Sequence, residues 1–163
     1  FYDISVVPPS IKYDIKHHTH SVSSLAFHPL LPLFATVSAD CSTYLYEIPT
    51  VVVPLPSSLT IKYCLTNRQN TICSVVVFHP TLLLLATGLS DTSTIIYDLT
   101  KLPPTIRHHM QYQYMGSIRC IAFHPSLPLC MTSSSDHTSI LYNLNKYQKQ
   151  AQVFIHSSFL LKV

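Results

Sequence analysis

The chain has 163 residues, 47% of them hydrophobic and only 10% charged, with a net charge of +3. Its charged fraction is well under the about 25% of an ordinary soluble domain, and no run of like charges marks a nucleic-acid or membrane tail. No apolar stretch approaches the ~18 residues of a membrane-spanning helix, and five cysteines without a CxxC pair point away from a disulfide framework and toward a reducing, intracellular setting, cytoplasm or nucleus.

In chain order, FYDI at residues 1–4 reads as the end of a strand. A histidine cluster, His17-His18-x-His20, precedes the alternating strand SVSSLAF, which runs into FHP at Phe27. A Leu-rich run, LPLFATV, leads to a Ser/Asp turn at Asp40 and a β-rich run closing on Tyr46-Glu47. The Pro-rich loop IPTVVVPLPSS then precedes a possible fourth strand, LTIKYCL. The same outline returns as ICSVVVF into Phe78, LLLLATG, Asp91 and Tyr97-Asp98, followed by the loop LTKLPPT and a possible fourth strand HHMQYQYM. It returns again as IRCIAF into Phe123, LPLCMTS, Asp136 and Tyr142-Asn143, with AQVFI as the last strand.

Asp follows each FHP Phe by thirteen positions, Tyr follows each Asp by six, and the units step by 51 and 45 residues. Steps of that size suit one propeller blade with long loops. No 3.6-residue period is sustained, so four short strands per unit and an all-β repeat are predicted. Approximate units are 1–16, the end of a preceding blade, then 17–66, 67–115 and 116–163. The chain opens in mid-pattern without a signal peptide, so it is expected to be a slice of a larger propeller, about three and a half blades.

The order strand, FHP, LAT-S-x-D, x-T-x-x-Tyr-acid resembles the WD40 repeat, with Tyr46-Glu47, Tyr97-Asp98 and Tyr142-Asn143 where that family has Trp-Asp. The resemblance implies that each turn Asp accepts hydrogen bonds from a His opening the repeat, while a strand hydroxyl and the Trp indole complete a network pinning the blade. Carried across, Asp40, Asp91 and Asp136 are the turn carboxylates. Thr36 or Ser38, Thr87, and Thr132 or Ser134 are their hydroxyl partners, and Tyr46, Tyr97 and Tyr142 stand for the indole. His18 fits the His position nine residues before Phe27, but the same offset gives Gln69 and Tyr114 in the next units. There is no Trp, and Gly88 and Gly116 are the only glycines. A phenol offers a hydroxyl rather than an indole N–H, so the network is expected to be rewired.

Six of the seven acids fall in the pattern: three turn aspartates, and Asp3, Glu47 and Asp98 after Tyr; only Asp14 lies outside it. No matched catalytic pair is left, and no G-x-S-x-G elbow or glycine-rich phosphate loop occurs. No enzyme, catalytic residue, cofactor or metal site is expected. His18 and His20 could converge on one strand face, yet no further ligand completes a metal site. His28, His79 and His124 occupy a repeated strand-to-turn position, which suggests a structural role. Cys73, Cys120 and Cys130 sit in strand-like runs as small hydrophobes.

Arg68, Arg107 and Arg119, in or beside the connections leading into blades, and nearby Tyr112 form the candidate interaction face; Arg is enriched at interaction hot spots. The expected role is a non-catalytic protein-interaction scaffold binding other proteins or peptides within a multiprotein complex. The remaining blades would come from the parent chain or from separate chains. Direct nucleic-acid contact is not expected at this charge. The alternatives are a subunit of an RNA-processing complex, since the last two units resemble the WD-repeat subunit of cleavage stimulation factor, or a degenerate fragment.

Overall fold

In the computed structural model, the structure describes residues 2–3, 10–11, 14–49, 59–66, 71–111, 113–146 and 148–154. Short apolar-alternating runs broken by Asp-containing turns leave hairpin pairing as the way to satisfy the backbone. Strands β1 (Tyr2–Asp3) and β2 (Ser10–Ile11) form a small antiparallel ladder, Tyr2 opposite Ile11. Strands β3 (Val22–Phe27), β4 (Leu33–Ser38), β5 (Ser42–Glu47) and β6 (Ile61–Thr66) make a first four-stranded sheet. Strands β7 (Cys73–Phe78), β8 (Leu84–Leu89), β9 (Thr94–Asp98) and β10 (Thr105–Met110) make a second. Strands β11 (Ile118–Phe123), β12 (Leu129–Ser134), β13 (Thr138–Asn143) and β14 (Gln148–Phe154) make a third.

Each sheet is an antiparallel meander in sequence order. No helix occurs among the described residues, so none is long and apolar enough to cross a membrane. The all-β repeat architecture read from the sequence is the observed one. One strand boundary differs. The fourth strand of the second sheet starts at Thr105, directly after Pro103 and Pro104, and ends at Met110 rather than running on to Met115. Beyond it, Tyr114 turns inward and is buried, which a continuing edge strand would not allow.

The sheets stack through their first strands, β3 against β7 and β7 against β11. Strand alternation sorts the side chains. Leu33, Ala35, Val37 and Leu45 of the first sheet meet Cys73, Val76, Phe78, Leu85 and Tyr97 of the second. Leu84, Ala86 and Ile96 emerge on the other side of the second sheet and meet Ile118, Ile121, Cys130 and Tyr142 of the third. The middle sheet is thus covered on both faces, and this explains why β8 is buried along its whole length and carries apolar residues on both faces, with Thr87 as its one polar side chain.

The junctions are close. Ser74 Oγ lies 2.6 Å from Ile118 O and 2.9 Å from Gly88 O, tying the second sheet to the third. Val76 N donates to Ser24 Oγ at 3.4 Å across the first junction. A Cβ on Gly88 would fall 2.5 Å from Ile118 Cγ2 and 2.7 Å from Val75 Cγ1, so only glycine fits there. The pairing register slips once in each first strand, at Val22/Ser24, Cys73/Val75 and Ile118/Cys120, which places Ser23, Ser74 and Arg119 at equivalent β-bulges.

Candidate functional site

The second hairpin of every sheet turns on an aspartate, and the residue after it is left-handed: Cys41 at φ +68°, Thr92 at +77°, His137 at +68°. A side chain in that conformation costs roughly 1–2 kcal/mol, so something must hold the turn. The holder is an Asp-x-Ser/Thr clamp. Asp40 Oδ1 accepts from Ser42 N at 3.0 Å, Asp91 Oδ1 from Ser93 N at 3.0 Å, and Asp136 Oδ1 from Thr138 N at 2.9 Å. The hydroxyl of the same Ser or Thr donates to the same oxygen in each case.

The second carboxylate oxygen reaches back to the segment entering the sheet. Asp40 Oδ2 accepts from Thr19 N and from His18 Nδ1, both at 2.9 Å. Asp136 Oδ2 accepts from Met115 N at 2.7 Å, and Asp91 Oδ2 from Thr71 Oγ1 at 3.2 Å.

In the first sheet His18 turns this clamp into a relay. With Nδ1–H donating to Asp40, Nε2 accepts from the Thr36 hydroxyl at 2.7 Å, and the Tyr46 phenol is close enough to feel Thr36. The ring of Tyr46 stacks on Phe34 at 4.5 Å, while the His17 ring lies nearly parallel to it at 5.7 Å and bonds its hydroxyl at 3.2 Å. Ser38 serves the turn backbone instead, accepting from Asp40 N and donating to His20 O.

In the third sheet Tyr114 stands where His18 does. Its hydroxyl donates to Thr132 O at 2.7 Å and lies 2.5 Å from Thr132 Oγ1, and the Tyr142 phenol is close enough to feel Thr132. No side-chain bond links Tyr114 to Asp136 among the described residues. Ser134 again serves the backbone, donating to Gly116 O and accepting from Asp136 N. In the second sheet Gln69 lies outside the described residues. Thr87 Oγ1 is fully buried without a well-formed hydrogen bond among the described residues, although the Tyr97 phenol is close enough to feel it.

Burial alone would raise the pKa of Asp40, but the hydrogen bonds from Ser42, Thr19 and His18 outweigh it and hold the carboxyl well below its usual range. The same contest, with Thr138 and Met115 as donors, lowers Asp136. Burial pushes the Tyr97 phenol up to about 12 and the Cys130 thiol up to about 12, so both stay neutral packing groups.

The FHP imidazoles shape the loop between the first and second strands. His28 Nδ1 accepts from Leu30 N and Leu31 N at 3.1 Å each. His79 Nδ1 does so from Thr81 N and Leu82 N, and His124 Nδ1 from Ser126 N and Leu127 N. An accepting Nδ1 requires the neutral ring, and burial lowers the pKa of His28 and His79 accordingly.

Arg107 lies in β10, the outermost strand of its sheet, and Arg119 is exposed at the bulge of the innermost strand β11, so the two stand at opposite ends of their sheets. Arg68 and Tyr112 lie outside the described residues. Sequence reasoning did not single out Ser42, Ser93 and Thr138 as clamp residues, though the Asp-x-Ser/Thr spacing is visible, nor the left-handed positions after each Asp.

A model of the family described as WD domain, G-beta repeat matches residues 10–47 and 103–143. The first match contains His18, Thr36, Asp40 and Tyr46, and the second contains Tyr114, Thr132, Asp136 and Tyr142. No curated protein matches the chain. With four-stranded sheets stacked through their inner strands and hairpins clamped by aspartate, the chain belongs to the WD40-repeat family.

Proposed function

We propose that the chain is a non-catalytic protein-interaction scaffold, part of a WD40-repeat propeller that holds other proteins or peptides in a multiprotein complex. The observation supporting this reading is where the reactive side chains go. Asp40, Asp91 and Asp136 clamp hairpins, His18 bridges one of them, and His28, His79 and His124 shape loops. Groups engaged in turns are withdrawn from chemistry, which leaves recognition to the exposed surface.

Arg119 heads that surface, because it projects at the bulge where the other sheets carry Ser23 and Ser74. Arg107 stands at the far edge of the second sheet from the inner strands, so the proposed contact rests on Arg119. Assembly of an RNA-processing complex is the narrower form of the same role, with contacts to its proteins rather than to phosphates, since scattered cations do not make a phosphate-binding patch.

The test is capture from cell extract on the immobilised chain and its Arg119→Glu variant, with and without ribonuclease, at low and moderate salt. Bound proteins that survive ribonuclease and salt but are lost with Arg119→Glu support the reading. Capture that vanishes with ribonuclease, or falls steeply with salt, replaces it with nucleic-acid binding.

A further inference from the structure

The loops at 28–33, 79–84 and 124–129, which join the first and second strands of the three sheets, are built alike. In the first, His28 Nδ1 takes the N–H groups of Leu30 and Leu31, while His28 N bonds Leu33 O at 2.8 Å and Leu33 N bonds Leu31 O at 2.7 Å. Pro29 and Pro32 have no N–H to place. The third loop repeats every one of these features, with Pro125 and Pro128 as its prolines. The second engages His79 N, Thr81 N, Leu82 N and Leu84 N in the same way. At the same place in each loop stands an outward leucine: Leu31, Leu82 and Leu127 are 40%, 50% and 51% exposed. The pairings Leu33↔Glu47, Leu84↔Asp98 and Leu129↔Asn143 bring the loops between third and fourth strands to the same end of the sheets. One of these loops adds Leu102, 72% exposed, beside exposed Lys101, and another adds exposed Lys146. Leu82 and Leu102 belong to the middle sheet, which is covered on both faces, so their exposure does not depend on what precedes the first sheet or follows the third.

We propose that this end of the sheets lies on an anionic lipid bilayer, with Leu31, Leu82, Leu102 and Leu127 entering the headgroup boundary and Lys101 and Lys146 meeting the headgroups. Three observations select that occupant. Loops whose N–H groups are already engaged or absent can enter a poorly hydrated layer without stranding a donor. Each leucine is a separate point on its own sheet, and a fluid bilayer closes around separate points that a rigid partner would have to match all at once. The charge is also of the right sign: Lys62, Lys101, Arg107 and Lys146 lie at this end against Glu47 and Asp98, and the neutral Asn143 takes the third acidic place. That excess of cations attracts anionic headgroups and opposes a second copy of the same surface. The turn aspartates and Arg119 stand at the opposite end of the strands, so this contact is separate from the scaffold's proposed protein contact. The chain lies on the bilayer and does not span it.

Co-sedimentation with phosphatidylcholine vesicles, with and without about 30 mol% phosphatidylserine, tests it. Binding to the anionic vesicles is expected. Leu82→Glu combined with Leu102→Glu should weaken it by at least about tenfold, and Lys101→Glu combined with Lys146→Glu should remove the preference for phosphatidylserine. The chain has no tryptophan, so Leu82→Trp and Met115→Trp each supply a single indole, the latter at a position 97% exposed at the opposite end. On anionic vesicles the Leu82→Trp emission should shift to the blue and be quenched by brominated lipid, while the Met115→Trp emission stays unchanged. A folding defect cannot imitate that pair of results, because neither depends on lost binding. Absence of binding to anionic vesicles, equal shifts from both indoles, or binding indifferent to the leucine substitutions overturns the proposal. A Leu82→Trp shift that grows with protein concentration without vesicles also overturns it, in favour of contact between copies of the chain.

Discussion

In the first sheet an imidazole fills the space between the turn aspartate and the strand threonine, and its two nitrogens reach both Asp40 and Thr36. In the third sheet a phenol fills the equivalent space and reaches Thr132 alone. The difference follows from where each ring carries its polar atoms. Imidazole has one on either side of a small ring and so can link two groups. A phenol has one, at its tip, and the rest of its ring must be packed. Tyr114 accordingly joins the apolar cluster of Ile118, Ile121, Ile140 and Leu144. The first sheet gains a linked polar chain, the third gains buried area, and the Asp-x-Ser/Thr clamp is common to both. The clamp is therefore the part of the network that holds the hairpin, and the bridging ring is adjustable around it.

The largest separation between the two sheets should come from removing the carboxylates. Asp40→Ala strands four donors, those of Thr19, His18 and Ser42 twice, and should cost about 3 kcal/mol. Asp136→Ala strands three, from Met115 and Thr138 twice, and should cost about 2 kcal/mol. Asp14→Ala, which loses only an exposed pair with Lys16, should lie near zero. Denaturant unfolding of the three variants reads this directly, and equal losses at positions 40 and 14 would remove the clamp from the account.

The bridging rings come next. His18→Phe deletes both links and should cost about 2 kcal/mol, against about 1 kcal/mol for Tyr114→Phe, which keeps the packing and loses the hydroxyl. If Tyr114→Phe proves the costlier in a thermal melt, the third network depends on its hydroxyl more than its geometry suggests.

A smaller gain is expected from relieving the turns. Thr92→Gly removes a β-branched side chain from φ +77° and should stabilise by about 0.5 kcal/mol after the added chain entropy of glycine is subtracted. Cys41→Gly and His137→Gly should gain less, and a loss of stability in Thr92→Gly would mean that the threonine side chain is held there by contacts worth more than its strain.

The gentlest test is pH. His28 and His79 have folded pKa values lowered below 6.5, so they favour the fold as neutral rings; their contribution is complete above pH 6.5 and is lost as pH falls through the folded values. A melting temperature that declines from pH 7 to 5, with a shallower decline in His28→Asn than in the unaltered chain, is the expected result. Asp40 and Asp136, lowered from 3.8, add a second loss only below about pH 4.

The repeat and its all-β character were legible because Phe, Asp and Tyr recur at fixed offsets and the strands between them alternate. Strand ends were less so, since HHMQYQYM is as β-prone as TIRHHM and only the inward turn of Tyr114 separates them. The offset that placed Tyr114 opposite His18 was visible too, but spacing says which residue enters a slot, not how far its polar atom reaches. The left-handed turn positions carry no glycine and so gave no signal; their conformation is imposed by the clamp, a tertiary cause that local propensity does not record.

The close approach at Gly88 has a consequence for the modularity of the molecule. At the second junction a small residue, Gly88, faces a large one, Ile118; the pair in the equivalent register at the first junction is Val37 and Cys73, where the sizes are exchanged. Each sheet is therefore keyed to its neighbour like a lock cut to one blank. Repeats that look interchangeable on paper are not: swapping the second and third would bring two bulky residues together at one seam and leave a gap at another, so the order of the repeats along the chain is itself written into their side-chain volumes.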